Sequence, residues 1–243
     1  MNSYMITAES LSVFTGGNFY QVPRHHKNWD AIVLAITESR WDDIPGLIDV
    51  AQKLRDFGHG ITVEDGVVHL DGKPISGPAV EHFLDIIDAD LPAETWAAYT
   101  ADLFKNSSYR VINYATAWIA KNKSLTLMPD GRIVGYKAIR SDWFDKHTGK
   151  SNCYTIGSVH TMPRGMVDDN PDNGCSYGLH VGSYDYAKSF SSYGDRIVLV
   201  AFWPSDIVSV PTEDEAKVRV CKLEVIAEYN GTGVINDRVY SAA

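Results

Sequence analysis

The apolar positions of this chain follow one period in its first half and another in its second. Before residue 122 they recur mostly three and four apart: Ile44, Leu47, Ile48, Ala51 and Leu54; Val80, Phe83, Leu84, Ile86 and Ile87; Val111, Ile112, Ala115, Trp118 and Ile119. That spacing lines one face of a helix. It predicts helices over 42–57, 78–90 and 108–121, with two more over 29–38 and 94–104. Asn28 stands where it would cap the 29–38 helix, and Asn106-Ser107 where they would cap the 108–121 helix. Pro45 suits a first turn, and Gly58 and Gly60 act as stop signals after residue 57. Short apolar runs at 11–14 and 19–22 flank Gly16-Gly17, and those at 61–63 and 67–70 flank Asp65-Gly66. Both patterns predict β-hairpins, and a second Asp-Gly follows at 71–72.

After residue 122 the period falls to two. Leu125 and Leu127 lead into a turn at Pro129-Asp130-Gly131, and a strong strand follows over 133–139. Further strands are expected over 177–181, 196–203, 207–210 and 218–229, interrupted by one helix over 184–190. The resulting fold class is α+β, a helical and hairpin N-terminal half followed by a mostly antiparallel β C-terminal half. The expected division is 1–122 and 123–243.

Composition narrows the partners. The chain of 243 residues is 44% apolar and 22% charged, the balance of an ordinary globular protein with a real core. Its net charge is −9. Residues 1–122 hold nine Lys and Arg against sixteen Asp and Glu, and residues 123–243 thirteen against fifteen. An acidic surface repels phosphate, so no specific nucleic-acid partner is expected. Trp96, Tyr99, Tyr109, Tyr114 and Trp118 accordingly read as packing residues rather than a platform for bases. Cys153, Cys175 and Cys221 are sparse, odd in number and without a CxxC, which suits a reducing compartment. No basic-then-apolar leader opens the chain, so no signal peptide is expected. The longest apolar run, 197–203, is far short of the ~20 residues of a membrane span, so membrane contact is at most peripheral. His25, His26, His59 and His69 are scattered and lack partners at ligand spacing.

Candidate chemistry concentrates in 130–180. This stretch carries His147, His160, His180, Cys153 and Cys175 among dense Asp, Asn and Gly. Its successive blocks are Tyr136-Lys137-Ala138-Ile139-Arg140, then Asp145-Lys146-His147-Thr148-Gly149, then Pro163-Arg164-Gly165-Met166-Val167-Asp168-Asp169. They continue as Cys175-Ser176-Tyr177-Gly178-Leu179-His180 and close with Pro204-Ser205-Asp206-Ile207-Val208-Ser209-Val210-Pro211. In this order the blocks resemble the tailed-phage rIIB-type rapid-lysis family over residues 100–225, with Ser107 where the family's helix opening has Pro. The resemblance implies a phage-encoded protein acting in the cytoplasm of the infected bacterium. The associated roles are lysis timing, exclusion of superinfecting phage and resistance to host exclusion systems. The implied partners are phage or host proteins, an rIIA-type protein among them. No catalytic residue comes with the resemblance.

The residues themselves admit several readings. Asp168, Asn170, Asp172 and Gly174 alternate like ligands of a Ca²⁺ loop, but Gly and Leu179 fall at the wrong positions for an EF-hand. Asx-turns explain the same composition, and no metal or other cofactor is expected. Cys175 and His180, with Asp168 or Asp169 orienting the ring, would make a thiolate–imidazole pair. The competing expectation is a structural Cys175 packed beside the 177–181 strand. A strand–helix–strand order from 177 to 203 is similar to the core of ADP-ribosyltransferases, which would give roles to Glu224 and Arg140; this is analogy of fold alone. The reading preferred here is a protein-binding platform of Tyr136, Lys137, Arg140, Asp145, His147, Arg164, Asp168, Asp169, Ser176 and His180. Lys137, Arg140 and Arg164 would then pair with Asp142, Asp145, Asp168 or Asp169 and hold the long loops.

Overall fold

The structure is a computed structural model that describes residues 2–24, 26, 28–48, 55–64, 66–89, 91–122, 124–149, 151–211 and 216–230. It forms two units, one of residues 1–56 and 62–74, the other of 57–61 and 75–243.

In the first unit, strands β1 (Ser3–Ile6), β2 (Ser10–Thr15) and β3 (Asn18–Pro23) make an antiparallel sheet in that order. Gly16 and Gly17 both have positive φ between the paired Thr15 and Asn18, the geometry a two-residue hairpin turn requires. Leu11, Val13 and Val22 of one sheet face pack with Trp29, Ile32, Ala35 and Ile36 of α1 (Trp29–Thr37) and Ile44 of α2 (Ile44–Ile48). Asn28 occupies the cap position of α1, but its side chain donates to the Leu47 carbonyl at 2.9 Å instead of capping. Strands β4 (Arg55–Asp56), β5 (Ile61–Glu64), β6 (Val67–Leu70) and β7 (Lys73–Pro74) form a second sheet in that order.

The helix expected over 42–57 is corrected at both ends. It is helical over Ile44–Ile48, and 49–54 lie outside the described residues. Arg55 and Asp56 are strand, paired with Val63 and Thr62. Gly58, His59 and Gly60 all have positive φ, so these glycines turn a hairpin rather than stop a helix.

The second unit opens with α3 (Pro78–Asp88), α4 (Glu94–Leu103) and α5 (Tyr109–Lys121). Ser108 caps α5, its Oγ accepting from the Val111 amide. Trp96, Tyr99 and Trp118 are buried as packing residues, whereas Tyr109 and Tyr114 are exposed. The sheet that follows uses β8 (Thr126–Leu127), β9 (Ile133–Ile139), β10 (Val159–Thr161), β11 (Leu179–Gly182), β12 (Arg196–Phe202), β13 (Ile207–Ser209), β14 (Lys217–Val220) and β15 (Lys222–Glu228). Helix α6 (Tyr184–Phe190) lies between β11 and β12 in the chain. Its strand order is β10-β15-β12-β9-β11-β14-β13, with β8 on β9. The named pairs are antiparallel, which makes this an α+β fold. The change of period near 122 marks the passage from helices to sheet within this unit. Helices and sheet meet through Trp118 and Phe202, whose ring centroids lie 6.4 Å apart, and through Asn106 Nδ2, which donates to the Ile207 carbonyl at 2.8 Å.

The strand expected over 218–229 is two strands. β14 and β15 stand four places apart in the sheet, about 19 Å if it were flat, yet only Cys221 joins them. The chain therefore turns a corner at Cys221 and the sheet rolls to follow it. The Cys221 amide donates to the Asp206 carbonyl and its own carbonyl accepts from Met162, so the corner loses no backbone hydrogen bonds.

Candidate functional site

Between β9 and β11 the chain makes a long excursion, 140–178, whose regular elements are β10 and a single 3-10 turn at Arg164–Met166. Polar side chains fix it. Asp145 is buried, and its Oδ1 accepts from the amides of His147 at 2.8 Å and Thr148 at 3.1 Å. Its Oδ2 lies 3.2 Å from Lys137 Nζ on β9. Burial works to raise the Asp145 pKa, but the Lys137 charge and the two amides outweigh it and hold the carboxyl at about 2. A bridge between Phe144 and Cys153 closes this first loop. Lys146 clips it to the end of α6 through the Phe190 carbonyl and the Asp195 carboxylate.

The second loop is organised by a residue that the motifs do not include. Arg219 on β14 is fully buried. Its Nε donates to the Asp168 carbonyl at 2.7 Å, and its terminal nitrogens reach the carbonyls of Asn173 and Asn170 and the Ser209 hydroxyl. Asp168 makes an Asx-turn with the Asn170 amide at 2.9 Å and accepts from Asn173 Nδ2 at 2.7 Å. Hydrogen bonds from Ser176, Asn173 and the Asn170 amide hold its carboxyl down at about 2. The expected pairing of Arg164 with Asp168 or Asp169 is thus corrected. Arg164 donates to the carbonyls of Ser205 and Ile207 and to Asn106 Oδ1. Arg140 pairs with Asp142 at 2.8 Å, as expected, and Lys137 with Asp145. Asp168 takes local N–H donors, and Arg164 and Arg219 satisfy main-chain carbonyls.

β9 and β11 are joined at the pair Gly182–Tyr136. Beyond it the two strands wall a cleft of about 470 Å³, with Lys137 on one side and His180 on the other. A smaller cavity of about 50 Å³ lies toward Tyr186, Ala187 and Phe190 of α6. Lys137, Asp145, His147, Cys175 and His180 line both spaces. The Tyr154 ring forms a further wall of the larger one. Lys137 Nζ sits 4.9 Å above it, and the His160 ring stacks on it with centroids 3.9 Å apart.

The sequence-predicted residues therefore separate. Lys137, Asp145, His147, Ser176, Cys175 and His180 reach the cleft. Tyr136 lines the small cavity and packs edge-on against Tyr184 and Tyr229. Arg140, Arg164, Asp168 and the exposed Asp169 support the loops and do not line the cleft. Glu224 faces another pocket, where its carboxylate pairs with Arg132 at 2.8 Å. Cys175 is exposed, not the packed residue expected, because the strand begins only at Leu179 and the residues before it belong to the loop. Burial and then the charges of Lys137, Lys217 and Arg219 push the His180 imidazole down to about 4. It is neutral near pH 7, and among the described residues its buried Nε2 has no hydrogen-bond partner. Such a ring is a weak base at neutral pH. Among the described residues, no group of three or more His, Cys, Asp or Glu is placed to hold a metal ion.

Sequence reasoning missed Lys217, Arg219 and Tyr154. For the first two a signal existed. Lys217-Val218-Arg219-Val220 alternates strictly, which puts Lys217 and Arg219 on one face of a strand whose other face is apolar.

Comparison with known proteins gives a consistent picture. A family profile described as bacteriophage T4 protein rIIB matches residues 17–235. The chain is similar to Protein rIIB of Enterobacteria phage T4, with 27% identity over 223 residues, covering 90% of this chain and 70% of that relative. No solved structure matches. No helix among the described residues is long and apolar enough to cross a membrane.

Proposed function

Because the chain belongs to the bacteriophage rIIB family, we propose that it acts in the infected bacterium as a phage accessory protein that works by binding other proteins. In this reading it serves lysis timing, superinfection exclusion or counter-defence. It works in the cytoplasm, at most peripherally at the inner membrane, and an rIIA-type protein is the first candidate partner. The observation that carries the reading is the anchoring of 168–174 by Arg219. A long irregular segment is held in one shape by a buried guanidinium, which prepays the ordering that binding would otherwise cost. Met166 and Tyr177, 68% and 79% exposed, flank this segment on either side as ready contact residues.

The alternative is an enzyme using Cys175 and His180, and one observation favours it: both side chains reach the same cleft. The low basicity of His180 argues against it. The two readings part in complementation of a phage deleted for this gene, scored by lysis time and by exclusion of a second phage. Under the binding reading, Tyr177→Ala combined with Met166→Ala abolishes complementation and recovery of an rIIA-type protein by cross-linking, while Cys175→Ser and His180→Gln retain both. Loss of complementation in Cys175→Ser, with partner recovery intact, would move the assignment to the enzyme.

A further inference from the structure

We infer that the 470 Å³ cleft between β9 and β11 is a binding site for a small organic anion. Its charged group is seated against Lys137, and its apolar body lies along Tyr154, Met162 and Leu179. This goes beyond the protein-binding reading and does not depend on it.

Size and preformation come first. Small-molecule sites run to about 300–1,000 Å³ and are largely apolar, with a few placed polar groups. This cleft falls in that range, and its two loop walls are held in place by hydrogen bonds within the protein. The Asp145 turn fixes one. The Arg219 fork behind Asp168 and Asn173 fixes the other.

Charge decides the class of ligand. The side chain of Lys137 is 11% exposed. An ammonium carries three N–H donors, and the one hydrogen-bonding partner of Lys137 among the described residues is Asp145. Two donors remain for an acceptor entering the cleft. Among the described residues Asp145 is the one acidic side chain on the lining, and its charge is already shared between Lys137 and two amides, so an anion meets no bare carboxylate there. Behind the β11 wall stand Lys217 and Arg219, whose positive charges act on His180. Asp168 and Asp169 offset part of the Arg219 charge, while Lys137 and Lys217 add positive charge at His180 in a chain that carries −9 as a whole. Such focusing concentrates anions at one place without making the surface sticky for nucleic acid.

The test uses the purified full chain with ¹⁵N-labelled amides and two matched pairs of probes, AMP with adenosine and benzoate with benzamide. The expected result is that at least one anion shifts the amides of Thr148, Gly178 and Leu179 with a Kd of about 1 mM or tighter. Its neutral counterpart should bind at least about tenfold more weakly, the loss of one charge-assisted hydrogen bond. Lys137→Met combined with Asp145→Asn removes both charges together and should abolish the shifts, with Trp96 and Trp118 indole signals unchanged as the check on folding. Should that variant fail to fold, inorganic phosphate, which occupies the charged end alone, should displace the anion from the wild type. Equal binding of a neutral probe, no displacement by phosphate, binding that survives the double variant, or no shift with either anion at about 10 mM would each overturn the inference.

Discussion

Arg219 Nε donates to the main-chain carbonyl of Asp168 at 2.7 Å, so a guanidinium on β14 holds a loop 51 residues earlier in the chain. The same fork reaches Asn170 and Asn173. Three carbonyls that would otherwise have to be solvated individually are satisfied by one rigid, planar group. This relationship ties the irregular segment to the rolled sheet.

Arg219→Met should therefore destabilise the protein by about 3 kcal/mol, the loss of several hydrogen bonds from a charged donor. Arg219→Lys should recover little, because a single ammonium cannot reproduce the fork. Limited proteolysis checks the mechanism separately from melting. The wild type should resist cleavage within 145–175, and Arg219→Met should be cut first around 168–175. Early cuts in the wild-type loop would mean that it is not held as described.

The Lys137–Asp145 pair lends itself to a double-mutant cycle. Both side chains are largely buried, 11% and 9% exposed. Removing one partner strands the other charge, so Lys137→Met or Asp145→Asn alone should each cost about 3 kcal/mol or more. The double variant should cost less than the sum, since no charge is left unpaired. Asp145 also predicts acid sensitivity. Its folded pKa of about 2 lies below the ordinary aspartate value of 3.8. The stability it contributes is therefore complete above the unfolded pKa and lost as pH falls from about 4 toward 2. Denaturant midpoints of the four proteins check both statements.

Much of this architecture is legible in the residues, and the gaps have physical reasons. β9 over 133–139 and α6 over 184–190 follow directly from local patterns, since an apolar run marks the strand and Ser183 caps the helix through the Tyr186 amide. The corner at Cys221 escaped because apolar alternation resumes immediately on its far side. The phase does shift, from Val218 and Val220 to Leu223 and Val225, and that flip of parity is the trace of the turn. Arg55-Asp56 is strand although helical spacing in the sequence leads up to it, because its pairing with Val63 and Thr62 is non-local. At the site, Lys137, Asp145, His147, Cys175 and His180 all stand in the motifs. Their convergence depends on where β9 and β11 part, which spacing along the chain does not encode. Arg219 escaped because it acts on carbonyls, which every residue carries, and leaves no complementary residue type to find.

The three cysteines should differ in reactivity in a defined order. Cys175 is exposed on the rim of the cleft, while Cys153 and Cys221 are half-buried. Burial pushes the Cys221 thiol up, and the neighbouring Asp206 carboxylate adds to it. The thiolate is the reactive form, so Cys221 is hindered by both access and protonation. Iodoacetamide labelling near neutral pH, read by peptide mass, should modify Cys175 first and Cys221 last. Labelling of Cys221 at the rate of Cys175 would show that the corner between β14 and β15 opens.

His180 makes a pH prediction whose sign is fixed by its surroundings. Burial and the charges of Lys137, Lys217 and Arg219 lower its pKa from 6.5 to about 4. Between those values the unfolded chain binds a proton that the native state refuses. The native state is therefore fully favoured above pH 6.5 and loses stability as pH falls from there toward 4. The whole effect is on the order of 3 kcal/mol if the shift is complete. His180→Gln cannot take the proton in either state, so its stability should decline less than the wild type's as pH falls, the remaining decline coming from groups common to both, such as His160, whose pKa burial also lowers. Unfolding midpoints in urea, measured from about pH 7.5 to about pH 4.5, give the difference between the two proteins. Carboxylates common to both cancel in that difference, and a wild type that tracks His180→Gln across the range would show that the imidazole is solvated and free to charge.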